Sequence, residues 1–157
     1  MKFLLSFALA ALVQPGFQVP ETYQGAGYKL APLGPEVVRQ DYEAYMSSID
    51  HLRKHFGSGK WPYPGITMAD ALKDVEGELQ RFKARTSFAY AVLTPDGGAE
   101  LGCFYLRPSK KPGFDAAASL WVTKVQFDKG FEDVLRRDMR RWVAEKWPFR
   151  NVEWDRR

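Results

Sequence analysis

The segment from Gln126 to Phe131 is the part of this chain best suited to bind an anion. It contains Gly130 and joins a predicted strand to a long helix. Backbone N–H groups and the positive end of the helix dipole converge at such a junction, and together they suit a phosphate group. Every strand-to-helix connection has free N–H groups, however, so binding of water alone is the alternative interpretation of this segment.

Two histidines and one cysteine are the other residues with potential for chemistry. His51 and His55 lie one helical turn apart, a spacing at which both can bind one metal ion. No glutamate follows in the H-E-x-x-H manner and no third ligand is evident, so we interpret them as polar residues on the flank of a helix and predict no metal site. Cys103 lies in an apolar run without a basic neighbour, which favours a buried packing residue over a nucleophile.

The charge pattern is mildly basic, with a net charge of +4. Four arginines lie close together in one predicted helix: Arg136, Arg137, Arg140 and Arg141. Acidic residues are interleaved with them, which is typical of a solvated helix face. We therefore predict no nucleic-acid partner, while an anionic small ligand remains compatible with the charge.

The central region reads as a β-hairpin, a third strand and a helix. Apolar residues recur with a period of two in Phe88, Tyr90, Val92 and again in Leu101, Cys103, Tyr105, on either side of a turn at Pro95–Gly98. A third strand follows at Ala118–Val122. From Asp128 the apolar period becomes helical, and Pro148 ends the helix.

The flanking regions complete an α+β pattern. We predict a strand at Tyr28–Leu33, one helix from Pro35 to Gly57, a second helix capped by Thr67 and Asp70, and a last strand at Asn151–Trp154. Only the final crossover requires parallel pairing. The sequence therefore predicts a mixed, mostly antiparallel central sheet flanked by helices.

The loop between the first two predicted helices is rich in glycine, proline and aromatic residues. Its two large aromatic residues, Trp61 and Tyr63, either line a substrate cleft or fasten the loop to the core. Burial against the core is the more common role for such residues.

The 157 residues suffice for a single domain. Residues 1–13 resemble a secretory signal, but no suitable cleavage site follows and the run is too short to span a bilayer. We expect a cytoplasmic protein without a membrane partner, in which residues 1–27 are an apolar and extended segment packed on the body or on a second copy in a homodimer. Residues 28–157 then form the domain. Secretion after cleavage is the alternative, and the single cysteine fits a reducing compartment.

The order of elements and several short sequence segments resemble the GNAT superfamily of acyl-CoA-dependent N-acetyltransferases, and a bacterial subfamily in particular. The segments are YEAYMSSIDHLRKHFG, TPDGG followed by LGCFYLRPS, GFDAAASLWV and WVAEKWPFRNVEW, and the resemblance covers Tyr28 to Trp154. The resemblance implies that acetyl-CoA or a related acyl-CoA pairs with the third central strand and that its pyrophosphate binds at the following helix start. Carried onto this chain, the residues are Leu120, Trp121, Val122, Gln126, Lys129, Gly130 and Phe131.

The resemblance also implies transfer of an acyl group to a small-molecule or peptide amine. Weak candidates for proton transfer are Asp115, Tyr105 and Tyr45. The chain departs from the superfamily pattern in its stretched loop, which contains Asp128, and in lacking the elements that follow the fifth strand, so it reads as a C-terminally shortened version. A non-catalytic module that uses the fold for ligand binding or protein interaction is the alternative.

Overall fold

A computed structural model describes residues 10–57 and 59–155 of the chain. Its six-stranded sheet has the order β1-β2-β3-β4-β5-β6. The strands are β1 Tyr23–Gly25, β2 Tyr28–Pro32, β3 Phe88–Leu93, β4 Glu100–Arg107, β5 Ala116–Val122 and β6 Val152–Trp154. All neighbours pair antiparallel except β5 and β6, which are parallel. The predicted α+β architecture with a mixed, mostly antiparallel sheet is confirmed.

Helices cover both faces of this sheet. They are α1 Val38–Met46, α2 Ile49–Phe56, α3 Met68–Lys83, α4 Lys124–Asp128 and α5 Phe131–Lys146, with a short 3-10 turn at Pro35–Val37 before α1. None of the helices in the described ranges is both long and apolar enough to cross a lipid bilayer.

Two of the sequence predictions about helices were wrong. The single helix from Pro35 to Gly57 is broken at Ser47 and Ser48 into α1 and α2. The hydroxyl of Ser47 donates to the Ala44 carbonyl at 2.6 Å, and that of Ser48 accepts from the Lys124 N–H at 2.8 Å, so both serines bond to backbone groups at the break. The predicted phosphate loop contains a further short helix, α4.

Helix α3 begins at the predicted capping box. Thr67 and Asp70 each accept a hydrogen bond from the backbone of the other. The buried face of α3 is formed by Ala71, Val75, Glu78 and Phe82. Leu72, which the apolar spacing of the helix would place on the inward face, is exposed. A carboxylate therefore occupies a position on the inward face of this helix.

The sheet separates two hydrophobic cores. One core packs α5 against alternate strand residues such as Tyr90, Phe104 and Leu120, and it includes the buried Val13 of the N-terminal segment. The other packs α1, α2 and α3 against the opposite face. The Leu12 N–H donates to the Arg85 carbonyl at 2.7 Å. Residues 1–9, the first part of the predicted apolar segment, lie outside the described residues.

An irregularity in the β3–β4 hairpin changes the face to which Glu100 belongs. Gly102 pairs with Val92, whereas Glu100 pairs with Leu93, so the register shifts by one residue between them. Such a bulge turns the following side chains to the opposite face of the sheet. Glu100 consequently lies under the helices α1–α3, together with Leu93 and Cys103.

Candidate functional site

A cavity of about 330 Å³ opens between helices α1–α3 and the ends of β4 and β5. We call it the acidic cavity. The residues that define its chemistry are Asp41, Trp61, Asp74, Glu78, Tyr105 and Arg107, and Ser119 of β5 also lines it. Tyr105 and Ser119 are register partners on adjacent strands. The cavity therefore joins the inward face of the helices to the centre of the sheet.

Asp41 is the most strongly perturbed carboxyl group at the cavity wall. It lies on the buried side of α1, one turn from Tyr45, and is 4% exposed. Burial raises its pKa to about 6, although hydrogen bonds with Glu100 and Cys103 act in the opposite direction. A carboxylate with a pKa in this range is suited to accept a proton near neutral pH.

Glu100 and Cys103 lie behind Asp41, away from the cavity. The Cys103 thiol donates to Oε1 of Glu100 at 3.1 Å and to Oδ1 of Asp41 at 3.6 Å. Burial and the neighbouring charge of Asp41 raise the pKa of Glu100 well above its ordinary value. The thiol pKa is raised by burial and then by Glu100, so Cys103 is a protonated hydrogen-bond donor and a poor nucleophile.

Tyr105 places a phenol at the floor of the same cavity. Its hydroxyl accepts a 3.0 Å hydrogen bond from Nε1 of Trp121, and the Arg107 guanidinium lies 4.3 Å from its ring centre. Burial is the largest cause that raises the pKa of Tyr105, and the charge of Asp41 acts in the same direction. The phenol remains protonated at neutral pH and retains a proton to donate.

A second cavity, of about 550 Å³, lies where α5 begins. We call it the α5 cavity, and its wall includes His51, Lys54, His55, Lys124, Phe127 and Gly130. Gly130 caps α5 with a φ of 78°, a left-handed conformation that favours glycine. The first-turn N–H groups of α5 and the two lysines favour an anion at this end of the cavity, whereas Glu132 and Asp133, which also line it, oppose one.

The backbone of the segment before α5 is not the open cradle expected from the sequence. The N–H groups of Gln126, Phe127, Lys129 and Gly130 donate within the segment to Thr123, Val125 or Phe127. Within this segment, the N–H groups left for an anion are those in the first turn of α5. Asp128, expected to repel a phosphate, forms an ion pair with Lys124.

Strand β5 has a partner on both sides along only part of its length. It pairs with β4 throughout, but with β6 only from Ala116 to Ala118. Beyond this point Asp155 follows β6, and its carboxylate accepts from the Leu120 N–H at 3.4 Å. Among the described residues, the side of β5 that faces away from β4 therefore has no strand partner from Leu120 to Val122, where Asp155 and His51 bond to its backbone instead.

The structure separates the candidates named from the sequence. Tyr105 lies in the acidic cavity, whereas Tyr45 is buried behind Trp61, at a ring distance of 5.0 Å. Asp115 lies outside both cavities, where its carboxylate accepts from the N–H groups of Arg150 and Asn151 at 2.7 and 2.8 Å. These bonds make Asp115 a cap of the turn before β6.

The remaining predicted residues have different positions. Leu120, Trp121 and Val122 form the end of β5, Gln126 lies in α4, Lys129 ends α4 and Phe131 begins α5 with its ring against Tyr28. Of the loop residues named for the cofactor, Gln126, Lys129, Gly130 and Phe131, Gly130 lines the α5 cavity, and Phe127 of the same segment lines it too. Trp61 both packs on the core and lines the acidic cavity, and Tyr63 is exposed.

Neither a protein-family model nor a curated protein sequence matches the chain. Several solved structures do match its fold. A protein described as a ribosomal-protein-serine acetyltransferase from Vibrio cholerae superposes with a TM-score of 0.67 at 9% identity, covering 90% of this chain and 75% of that one. A protein described as a GNAT-family acetyltransferase from Bordetella pertussis gives 0.55 at 15% identity, over 80% and 73%.

A third similar structure is the ribosomal α-N-protein acetyltransferase RimL in complex with coenzyme A. Its TM-score is 0.59 at 14% identity, with 76% of this chain and 65% of that chain covered. Identities this low establish the architecture alone. The chain has the GNAT fold, as its order of elements predicts.

Proposed function

We propose that the chain transfers an acyl group from an acyl-CoA to a primary amine bound in the acidic cavity. The observation that carries this proposal is the position of Asp41, a buried carboxyl group with a pKa of about 6 at the wall of a cavity that reaches β5. A protonated amine must lose a proton before its nitrogen can attack, and a carboxylate of this pKa accepts one near neutral pH.

The residues along β5 fit the acyl-bearing arm of an acyl-CoA. The backbone of Leu120–Val122 has no β6 partner on its outer side. Asp155 accepts from the Leu120 N–H and His51 bonds to the Val122 backbone, so an extended amide-containing chain that pairs with this edge would replace these bonds. Ser119 belongs to the same strand and lines the acidic cavity. A chain lying along this edge would therefore bring its end next to the acidic cavity.

The α5 cavity fits the phosphates of the same molecule. Lys54, Lys124 and the first turn of α5 are the parts of its wall that favour a polyanion. Glu132 and Asp133 also line it. Glu132 is paired with Arg136 at 3.3 Å and Lys124 with Asp128, so Lys54 is the cation on which phosphate binding depends most. The proposed phosphate site therefore differs from the one implied by the resemblance. It includes Lys54 of α2, and it uses fewer backbone N–H groups of residues 126–130 than the resemblance implies.

The chain's own residues handle two protons of the amine. Asp41 accepts the first from the ammonium group and gives the nitrogen its lone pair. An acyl-CoA supplies the thioester whose carbonyl carbon forms the new C–N bond as the C–S bond breaks and its electron pair leaves on sulfur. The second amine proton balances that thiolate: Tyr105, whose pKa is raised so that it stays protonated, donates to sulfur and is reprotonated by the amine.

A ligand-binding module without catalysis is the competing function. The observation that favours it is α4, which consumes backbone donors that the expected loop would leave free. A protein of this kind would bind acetyl-CoA weakly or not at all and would release no thiol.

Two measurements on the full chain separate these functions. Calorimetry with acetyl-CoA reports binding, for which we expect a dissociation constant in the micromolar range, about −8 kcal/mol. Thiol release from acetyl-CoA, followed with and without a panel of primary amines, reports transfer. Release that depends on the amine supports the proposal, whereas binding without amine-dependent release supports the non-catalytic module.

A further inference from the structure

The acidic cavity contains more negative charge than the proposed chemistry requires. One carboxylate, Asp41, suffices to accept a proton from an amine. Two more, Asp74 and Glu78, line the cavity from α3, and Arg107 is the cationic side chain that lines it. Asp74 and Glu78 are one turn apart on the same helix, so their side chains are neighbours.

Glu78 has one carboxylate oxygen paired and the other unpaired. Its Oε1 accepts from Arg81 and from Arg107, each at 3.0 Å. Its Oε2 is buried and has no hydrogen-bond partner among the described residues, although the residue is only 6% exposed. A buried acceptor left in this state costs free energy, which an arriving N–H donor would recover.

Asp74 has neither a hydrogen bond nor an ion pair with the described residues. Partial burial and then the charge of Glu78 raise its pKa above the ordinary value. A cation next to both carboxylates would offset their mutual repulsion and restore the ionised form of Asp74. Arg81 and Arg107 lower the pKa of Asp74, but burial and Glu78 outweigh them, so the α3 side of the cavity still favours one further positive charge beside Asp74.

Aromatic rings form the rest of the wall. Trp61 and Phe56 lie 5.7 Å apart between ring centres, and both line the cavity. Ring faces attract alkylammonium groups and pack against methylene chains. A volume of about 330 Å³ is at the small end of the range for ligand pockets, so the cavity suits a slim molecule.

We propose that the acceptor is a small linear amine with a second cationic group, whose reacting nitrogen faces Asp41 while its other ammonium group binds between Asp74 and Glu78. This inference rests on the proposed function for the role of Asp41. The α3 carboxylates then determine which amines are accepted, and they take no part in proton transfer.

Calorimetry on the full chain at low salt, without acyl-CoA, tests the binding directly. Putrescine and n-butylamine share a four-carbon chain and differ in the second ammonium group. We expect putrescine to bind at least about tenfold more tightly, which corresponds to roughly 1.4 kcal/mol. Asp74→Asn removes most of this preference, whereas Glu76→Gln, an exposed carboxylate of the same helix that does not line the cavity, leaves it unchanged.

Equal affinity for the two amines, or an unchanged preference in Asp74→Asn, overturns the inference. Glu78→Gln is the second variant, and its melting temperature is measured first because Glu78 holds Arg81 and Arg107. If putrescine binds selectively but is never acylated, the proposed function is contradicted and the diamine site is supported. If both amines bind equally and are acylated equally, the diamine site is contradicted and the proposed function is supported.

Discussion

The Sγ atom of Cys103 lies 3.1 Å from Oε1 of Glu100, in the buried layer between β4 and α1. The same thiol also donates to Asp41, and the ligand atoms of the three side chains all lie within 4.8 Å of one another. Burial raises the pKa of both carboxyl groups, and the charge of Asp41 raises that of Glu100 further, whereas the hydrogen bonds with Glu100 and Cys103 lower the pKa of Asp41. Glu100 and Cys103 therefore moderate the pKa of Asp41, although neither of them lines the cavity.

The first prediction concerns stability as a function of pH. The pKa of Asp41 is about 6 in the folded protein and 3.8 ordinarily, so between these values the folded state holds a proton that the unfolded chain releases. Stability therefore falls as the pH rises through this window, by up to roughly 3 kcal/mol. Asp41→Asn should remove this loss and raise the melting temperature at pH 8 more than at pH 4.

Thermal unfolding of both proteins across this pH range measures the effect. Glu43→Gln is the matched control, because Glu43 is exposed on the same helix and paired only with Arg39 across one turn. A melting temperature that Asp41→Asn changes equally at both pH values would mean that Asp41 has an ordinary pKa.

The second prediction concerns the pH dependence of transfer. Asp41 accepts a proton only when ionised, so kcat/KM should rise as the pH increases through about 6 and then level off, since the amine is still protonated there. The rise should be absent from the residual activity of Asp41→Asn. Initial rates of thiol release over this range provide the test, and an inflection retained in Asp41→Asn would assign the titration to another group.

The third prediction concerns the ion pairs beside the open side of β5. Arg136 is buried between Glu132 and Asp155, at 3.3 and 2.7 Å. Arg136→Met leaves the buried Glu132 without a partner and should cost about 3–5 kcal/mol in the free energy of unfolding. Urea denaturation measures it. Arg137→Met, at an exposed position, should cost less than about 0.5 kcal/mol, and equal losses in the two variants would contradict this account.

The fourth prediction locates the phosphates. Lys54 lines the α5 cavity, whereas Lys129 is exposed on the turn that ends α4 and does not line it. Lys54→Glu should weaken acetyl-CoA binding by about tenfold, and the difference should shrink at high salt because screening weakens charge interactions. Calorimetry compares the two variants. A greater loss of acetyl-CoA affinity in Lys129→Glu than in Lys54→Glu would indicate that the phosphates bind at the predicted loop instead.

Much of the sheet was predictable because its signals are local. The hairpin from Phe88 to Arg107 follows from two alternating runs around a turn-forming segment, and the parallel pairing of β5 and β6 follows from the helix that connects them. The break between α1 and α2 was not predictable, because the apolar stripe of the sequence continues through it. The two serines at the break were the available signal.

The site was less predictable, since carboxylates were sought beside β5 and are found on helices. Asp41 lies three residues after Val38 and four before Tyr45, so it interrupts an apolar stripe, and Glu78 does the same on α3. A carboxylate on an inward face was the missed signal. Glu100 could not be placed in this way, because strict alternation puts Glu100 and Cys103 on opposite faces and only the bulge brings them together.

Mass spectrometry of the acceptor tests the central claim most directly. The full chain, acetyl-CoA and putrescine are incubated together, and the N-acetylated amine is quantified against the released thiol. We expect equal amounts of both products from the wild type and from Glu43→Gln, and a rate at least about 100-fold lower from Asp41→Asn. Acetyl-CoA that binds without forming an amide with putrescine or any amine of the panel, or an equal rate in Asp41→Asn, would contradict acyl transfer at this cavity.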